Sequence, residues 1–314
     1  MSAGRAIGRI VEIHRHPVKS MGGEPLAEST LSLRFGIVGD RAWAIRDLAA
    51  GEIRGAKKIP DLLSLAARYV ETPQVERSAA VEIDLGGGKW IRSDDPELAK
   101  RLGERLGRAV ELCPRRPAHE TSHYRRARPI TDPEAEIRDA SGLLPDEPVP
   151  AMGEAPVDLS VVGEYVSPPG TYFDFFDLHL LSTRSLASLA ECVPDSVVDA
   201  RRFRPNLVVE LEGPRRDDRR APHSAMEASG AGADGRWPEL EWVGRVLSIG
   251  ETLIEITMPM MRCGMTTHAQ PGLPKDPRIM RALVRDCDMN LGVGVTVRRG
   301  GLVRTGDAIF SVER

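Results

Sequence analysis

Trp242-Val-Gly-Arg-Val-Leu-Ser-Ile-Gly-Glu-Thr-Leu-Ile-Glu-Ile-Thr257 decides the fold class. Two runs rich in Val, Ile and Leu, Trp242 to Ile249 and Leu253 to Thr257, flank a turn at Gly250 and read as successive strands. Downstream, Val293 to Arg298 and Ala308 to Val312 repeat the pattern, with turns at Gly300-Gly301 and Gly306-Asp307. Short strands separated by glycine turns favour a closed or nearly closed barrel, because closure leaves no unpaired edge. The amino-terminal end has the same character: strands are expected over Ile7 to Ile13, Leu26 to Leu33 and Trp43 to Arg46, with a loop from His14 to Gly23.

Helices are fewer. Asp94 or Asp95 can cap a helix running to Leu106, whose Leu98, Leu102 and Leu106 share one face. Ser182 or Thr183 can cap a second helix through Cys192, and Asp276 to Arg285 forms a third. Pro114 to Met152 is polar and proline-rich without a sustained period, so it reads as a linker or lid. Gly213 to Gly235 cannot bury enough apolar area to offset its ordering entropy and is expected to be disordered.

The 314 residues suffice for one large domain or two ordinary ones. Lys and Arg number 43 against 46 Asp and Glu, a net charge of −3, which gives the chain no general attraction to nucleic acid or an anionic bilayer. No apolar run reaches the roughly 18 residues of a membrane span, and the start lacks an export-signal pattern, so a cytoplasmic location is expected. Cys113, Cys192, Cys263 and Cys287 are too scattered for a zinc finger or an iron–sulfur ligand set.

Three clusters could carry chemistry. Cys263 follows a strand in M-P-M-M-R-C-G-M-T-T-H, beside Arg262 and ahead of Gly264, Thr266 and Thr267. A neighbouring cation and loop amides favour a thiolate, which serves as metal ligand or nucleophile, although a lone Cys in apolar sequence also reads as a small core residue. The loop H-R-H-P-V-K-S-M-G-G gathers His14, Arg15, His16, Lys19 and Ser20 with two glycines, donors suited to a phosphate but not in P-loop order; a solvated basic turn is the alternative. Arg41 can join that anion site or pair with Asp40 or Asp47. Arg202, Arg204 and Asn206 combine cationic donors with an amide suited to a heterocycle edge, or form a surface charge cluster.

V-E-I-H-R-H-P-V-K-S-M-G-G-E, G-I-V-G-D-R-A-W-A-I-R-D, D-L-H-L-L-S-T-R-S-L, R-R-F-R-P-N-L-V-V and M-R-C-G-M-T-T occur in that order. Together they closely resemble the MOSC superfamily, named for the carboxy-terminal domain of the molybdenum cofactor sulfurase, over nearly the whole chain. The resemblance implies an α+β, β-rich fold: a MOSC-type β-barrel with a few peripheral helices and an amino-terminal β-containing subdomain, divided as 1–125 and 126–314. It further implies binding of the molybdenum cofactor, molybdopterin with its metal, as in the amidoxime-reducing component and its bacterial relatives.

By motif position Cys263 would be the metal-bound thiolate, a soft ligand suited to a metal already held by the pterin dithiolene. Lys19, Ser20 and Arg41 would hold the phosphate end; Ser182, Thr183, Arg204 and Asn206 would contact pterin or phosphate; Arg262 and Thr266 would line the metal pocket. The implied activity is two-electron reduction of N-hydroxylated or related N- or S-oxygenated small molecules, with electrons from a separate flavin or iron–sulfur protein. The alternative is a persulfide or cofactor carrier without redox turnover. The chain departs from many relatives after Thr267, with His268-Ala269-Gln270 in place of an acidic D-P-x-T-G stretch.

Overall fold

The computed structural model describes residues 5–150, 159–212 and 235–312. The chain opens with β1 (Ala6–Arg15), β2 (Glu24–Leu26), β3 (Glu28–Ser32), β4 (Gly36–Ile37), β5 (Trp43–Asp47) and β6 (Glu52–Ile53). It continues through β7 (Ala66–Tyr69), β8 (Val81–Asp84), β9 (Trp90–Arg92), α1 (Leu98–Leu106) and β10 (Val110–Pro114). Three helices follow, α2 (Thr121–Tyr124), α3 (Pro133–Ser141) and α4 (Leu159–Glu164), before β11 (Leu178–Ser182), α5 (Thr183–Cys192) and β12 (Leu207–Leu211). The last third holds β13 (Val246–Ile249), β14 (Thr252–Met261), α6 (Arg278–Cys287), β15 (Asn290–Arg299), β16 (Gly301–Arg304) and β17 (Ala308–Val312).

Seven strands form the barrel in the order β12-β11-β15-β14-β13-β17-β1, closed by pairing of β1 with β12, and β2 extends the sheet along the end of β1. β13 and β14 pair antiparallel with Ile249 opposite Thr252, the tight connection that Gly250 marks in the sequence. Only β11 and β12 run parallel within the barrel, a pairing that requires a crossover, and α5 supplies it. Irregularities in register between β14 and β15 let these ten-residue strands bend round the barrel. Thr252, Ile254 and Ile256 alternate inward on β14, and Ile10, Leu180, Val209, Val293 and Val295 meet them in one continuous core.

A second core covers the first half. Val18, Ile45, Leu62, Ile83 and Val110 pack with Leu98, Leu102 and Leu106, the one apolar face of α1. Three-stranded sheets β10-β5-β6 and β7-β8-β9 frame it. The first half is nevertheless tied to the last: β1 closes the barrel, and β3 pairs with β16.

Several boundaries differ from expectation. α1 starts at Leu98 because Asp94 is held by the Arg92 guanidinium and Asp95 accepts from the Glu97 amide in the preceding turn. Pro114 to Met152 contains two helices. In α3 Asp132 accepts from the Ala135 amide, Pro133 opens the first turn and Gly142 ends the helix in the left-handed conformation. Periodicity missed α3 because it offers the core little beyond Ile137; its caps, not an apolar stripe, mark it in sequence. The stretch expected to be disordered, 213–235, lies outside the described residues except for Gly235.

Candidate functional site

A cavity of about 210 Å³ is lined by Lys19, Ser20, Arg41, Arg204, Asn206, Arg262, Cys263 and Thr266. Residues far apart in sequence are thus neighbours in space. They come from the loop after β1, the turn before β5, the approach to β12 and the turn after β14. Ser20, Arg41 and Arg204 all adopt positive φ, 70°, 47° and 54°. Such a backbone costs roughly 1–3 kcal/mol at each non-glycine position and persists only where its surroundings fix it. The Arg41 amide donates to the His16 carbonyl at 2.7 Å, the Arg204 amide to Ala200 at 3.0 Å, and Ser20 Oγ accepts from the Ala56 amide at 2.9 Å.

Beneath the cations lies a fully buried carboxylate. Asp40 accepts from the His16 amide at 2.6 Å and pairs with the Arg41 guanidinium. Burial alone would raise its pKa, but Arg41 and the His16 contacts hold it below the usual carboxylate range. Burial, then the Arg204 charge, lowers His16 to about 3, so its imidazole is neutral. Burial and the neighbouring Arg41 bring Arg204 down to about 9. Arg204 donates to the Met21 carbonyl at 2.5 Å, while its Nη2 is buried without a hydrogen-bond partner among the described residues.

The Lys19 ammonium uses its three protons within the protein: on the Tyr172 carbonyl at 2.7 Å, Asp174 at 2.8 Å and Ser167 Oγ at 3.2 Å. Burial lowers its pKa, and Asp174 opposes that shift. Asp174, 59% exposed where it borders the cavity, is held below the carboxylate range by the Lys19 and Lys57 charges. Lys19 therefore anchors the strap Tyr172-Phe-Asp-Phe-Phe176, whose Phe175 and Phe176 enter the lining.

Asn206 is committed as well. Its Nδ2 donates to the His14 carbonyl at 3.2 Å and its Oδ1 accepts from the His179 amide at 3.1 Å, which ties β1 and β11 together where β12 begins. Arg262 donates to the Phe203 carbonyl and lies 3.5 Å from His179 Nε2. Burial lowers Arg262 to about 10, the Cys263 sulfur opposing that shift, and burial with the Arg262 charge holds His179 well below its ordinary value. Thr266 Oγ1 donates to the Cys263 carbonyl at 3.1 Å and Thr267 Oγ1 to Gly264 at 2.7 Å, fixing the turn that presents the thiol. Arg202, fully buried, clamps the segment behind that turn through the carbonyls of Thr266, His268 and Pro274.

Ser182 and Thr183 are not brought to the cavity. Ser182 caps α5 by accepting from the Ser185 amide, and both serines donate to the buried Glu239 carboxylate at 2.6 Å. Thr183 is exposed. Conversely, Lys57, Glu136 and Asp174 line the cavity although sequence reasoning passed over them. The Cys263 sulfur, outweighing burial, raises the Lys57 pKa. The basic pair Lys57-Lys58, which begins four residues past β6, is the only local signal for Lys57; the other two carry none.

The fold and site define a MOSC protein. Residues 7–93 match the MOSC N-terminal beta barrel domain and residues 171–310 match the MOSC domain, so the chain belongs to this family, which is associated with the molybdenum cofactor. Among solved structures it is similar to YiiM from Geobacillus stearothermophilus, at 16% identity over 44% of this chain and 55% of that one, with a TM-score of 0.29. YUAD protein from Bacillus subtilis gives 18% identity over 44% and 64% with a TM-score of 0.31, and YiiM from Escherichia coli gives 16% over 44% and 55% with 0.29. The match thus spans between about half and two thirds of those chains. No match is found among curated proteins. Among the described residues no helix is long and apolar enough to cross a membrane.

Proposed function

We propose that this chain binds the molybdenum cofactor in the cavity and reduces N-hydroxylated or related N- and S-oxygenated small molecules. The observation that carries the reading is the convergence of Cys263 with Arg41, Arg204 and Arg262 on one cavity. The chemistry of the site fits the group. A buried guanidinium nitrogen without an acceptor, Arg204 Nη2, is costly until an anion meets it, and a pterin phosphate supplies that anion. Among the described residues no set of three His, Cys, Asp or Glu side chains could hold a metal ion by itself. A single thiolate suffices where dithiolene sulfurs provide the remaining soft ligands.

When bound, the cofactor supplies two-electron redox chemistry at molybdenum. The chain does the rest. Arg41 and Arg204 would hold the phosphate, Cys263 would hold the metal, and the Thr266 and Thr267 hydroxyls keep the thiol-bearing turn rigid. Arg262, pinned to Phe203, fixes positive charge beside Cys263. Cleaving the substrate N–O bond consumes two electrons and two protons and releases water. A separate flavin or iron–sulfur protein is proposed as the electron source, and small-molecule substrates as the reactants.

Protein made in a molybdenum-replete host should carry stoichiometric molybdenum and pterin. Cys263→Ser should retain much of the pterin yet lose reduction of N-hydroxylated compounds by an artificial donor. Stoichiometric zinc, or no pterin fluorescence after oxidation, overturns the reading. Cyanide-releasable sulfur on Cys263 without reductase activity decides for a carrier.

A further inference from the structure

The two family matches leave residues 94–170 between them. Within it, residues 126–141 and 162–163 build one side of the cavity. Ile130, Pro133, Ile137 and Ala140 come from α3 and the chain before it, and Val162 from α4. The approach is close: a Cβ on Gly264, the residue after Cys263, would lie 3.2 Å from the Ala140 carbonyl oxygen. Hence α3 packs directly over the turn that carries the thiol. The rest of the lining combines the cations Lys19, Arg41, Arg204 and Arg262 with the rings of Phe175 and Phe176, whereas the α3 side is mostly apolar, with Glu136 and Arg126 as its charged members.

We infer that α3 and the chain leading into it, from Arg126 to Ser141, are the specificity element of the site and select substrates with an aromatic or alkyl body over small polar ones carrying the same reacting group. A cationic cleft by itself favours compact oxyanions. The apolar wall shifts the balance, because a phenyl or alkyl group placed against Ile130 and Ile137 leaves water, while a methyl group gains little. Glu136, the acidic side chain of this wall, adds a penalty for anions. Ile137 also touches the barrel core, and Ile130 does not belong to it, so Ile130 reports on the cavity wall alone.

The inference rests on the proposed function only for the identity of the reacting group. The test compares N-hydroxybenzamidine with N-hydroxyacetamidine on the holoprotein without reductant, by calorimetry, where binding proceeds without turnover. The wild type should bind the aryl compound at least about tenfold more tightly, the discrimination an apolar pocket gives for several carbons. Ile130→Ser should reduce the ratio of the two dissociation constants to about 2, and Ile137→Ser should do so with a lower melting temperature as well. Equal affinities in the wild type, or an unchanged ratio in Ile130→Ser, overturn the inference. If discrimination is present but reductant produces no amidine, the redox reading fails and the specificity element stands.

Discussion

Replacing Asn206 by Ala separates a structural role from a cofactor-reading one. Asn206 is fully buried, and its backbone and side chain each bridge the same two residues. Its amide donates to the His179 carbonyl and its carbonyl accepts from the His14 amide, both at 2.8 Å, while the side chain joins the His179 amide and the His14 carbonyl at 3.1 and 3.2 Å. Truncation keeps the first two bonds and removes the second pair. The His179 N–H is left buried without an acceptor, at about 1–3 kcal/mol, and the lost bond to His14 adds about 1 kcal/mol. A loss of about 2–4 kcal/mol should lower the melting temperature of cofactor-free protein by about 3–6 °C and shift the urea midpoint with an unchanged slope. Asn206→Asp keeps the acceptor for the His179 amide but sets a carboxylate oxygen against the His14 carbonyl, so it should not restore the wild-type melting temperature. If cofactor-free Asn206→Ala melts within about 1 °C of the wild type and only pterin retention falls, the amide reads the cofactor and the clasp argument is refuted.

The pH dependence has a definite sign. Because burial lowers His16 to about 3 and holds His179 well below 6.5, the unfolded chain binds more protons as pH falls below 6.5, and each site removes about 1.4 kcal/mol per pH unit. Asp177, raised to about 6 by burial, acts in the opposite direction between about pH 4 and 6. It is common to wild type and His16→Gln, so the variant should show a shallower loss of stability between pH 6.5 and 5; parallel curves would refute the assignment. Lys19→Met should raise amide hydrogen exchange across Tyr172 to Phe176 by about tenfold or more, since the strap loses its anchor, and unchanged protection would show another support. Gly36→Ala should cost about 3 kcal/mol or more in thermal unfolding, as Gly36 has φ of +54° and an added Cβ would lie 2.2 Å from the Asp177 carbonyl oxygen.

The barrel was legible because its strands carry their own signals. The Val246 to Thr257 hairpin, the alternation along β14 and the glycine turns are local properties. What closes the barrel is not local: β1 meets β12 across about two hundred residues, and no period in either strand names the other. The candidate site divides along the same line. Cys263, Arg41 and Arg204 stand out by residue type and motif, yet the motif does not say which donors are spent. Lys19 is saturated by Ser167, Tyr172 and Asp174, and Asn206 by His14 and His179, whereas Arg204 keeps a buried nitrogen unpaired. Ser182 shows the reverse case: its capping role follows from position alone, while the role implied by resemblance has no place at the cavity. Residue type announces what a side chain can bind; only its existing partners decide what it has left to offer. On that ground the free capacity for an anion lies with Arg204 rather than Lys19. Arg204→Met should therefore weaken cofactor retention more than Lys19→Met at matched thermal stability, and the opposite order would place the phosphate on Lys19.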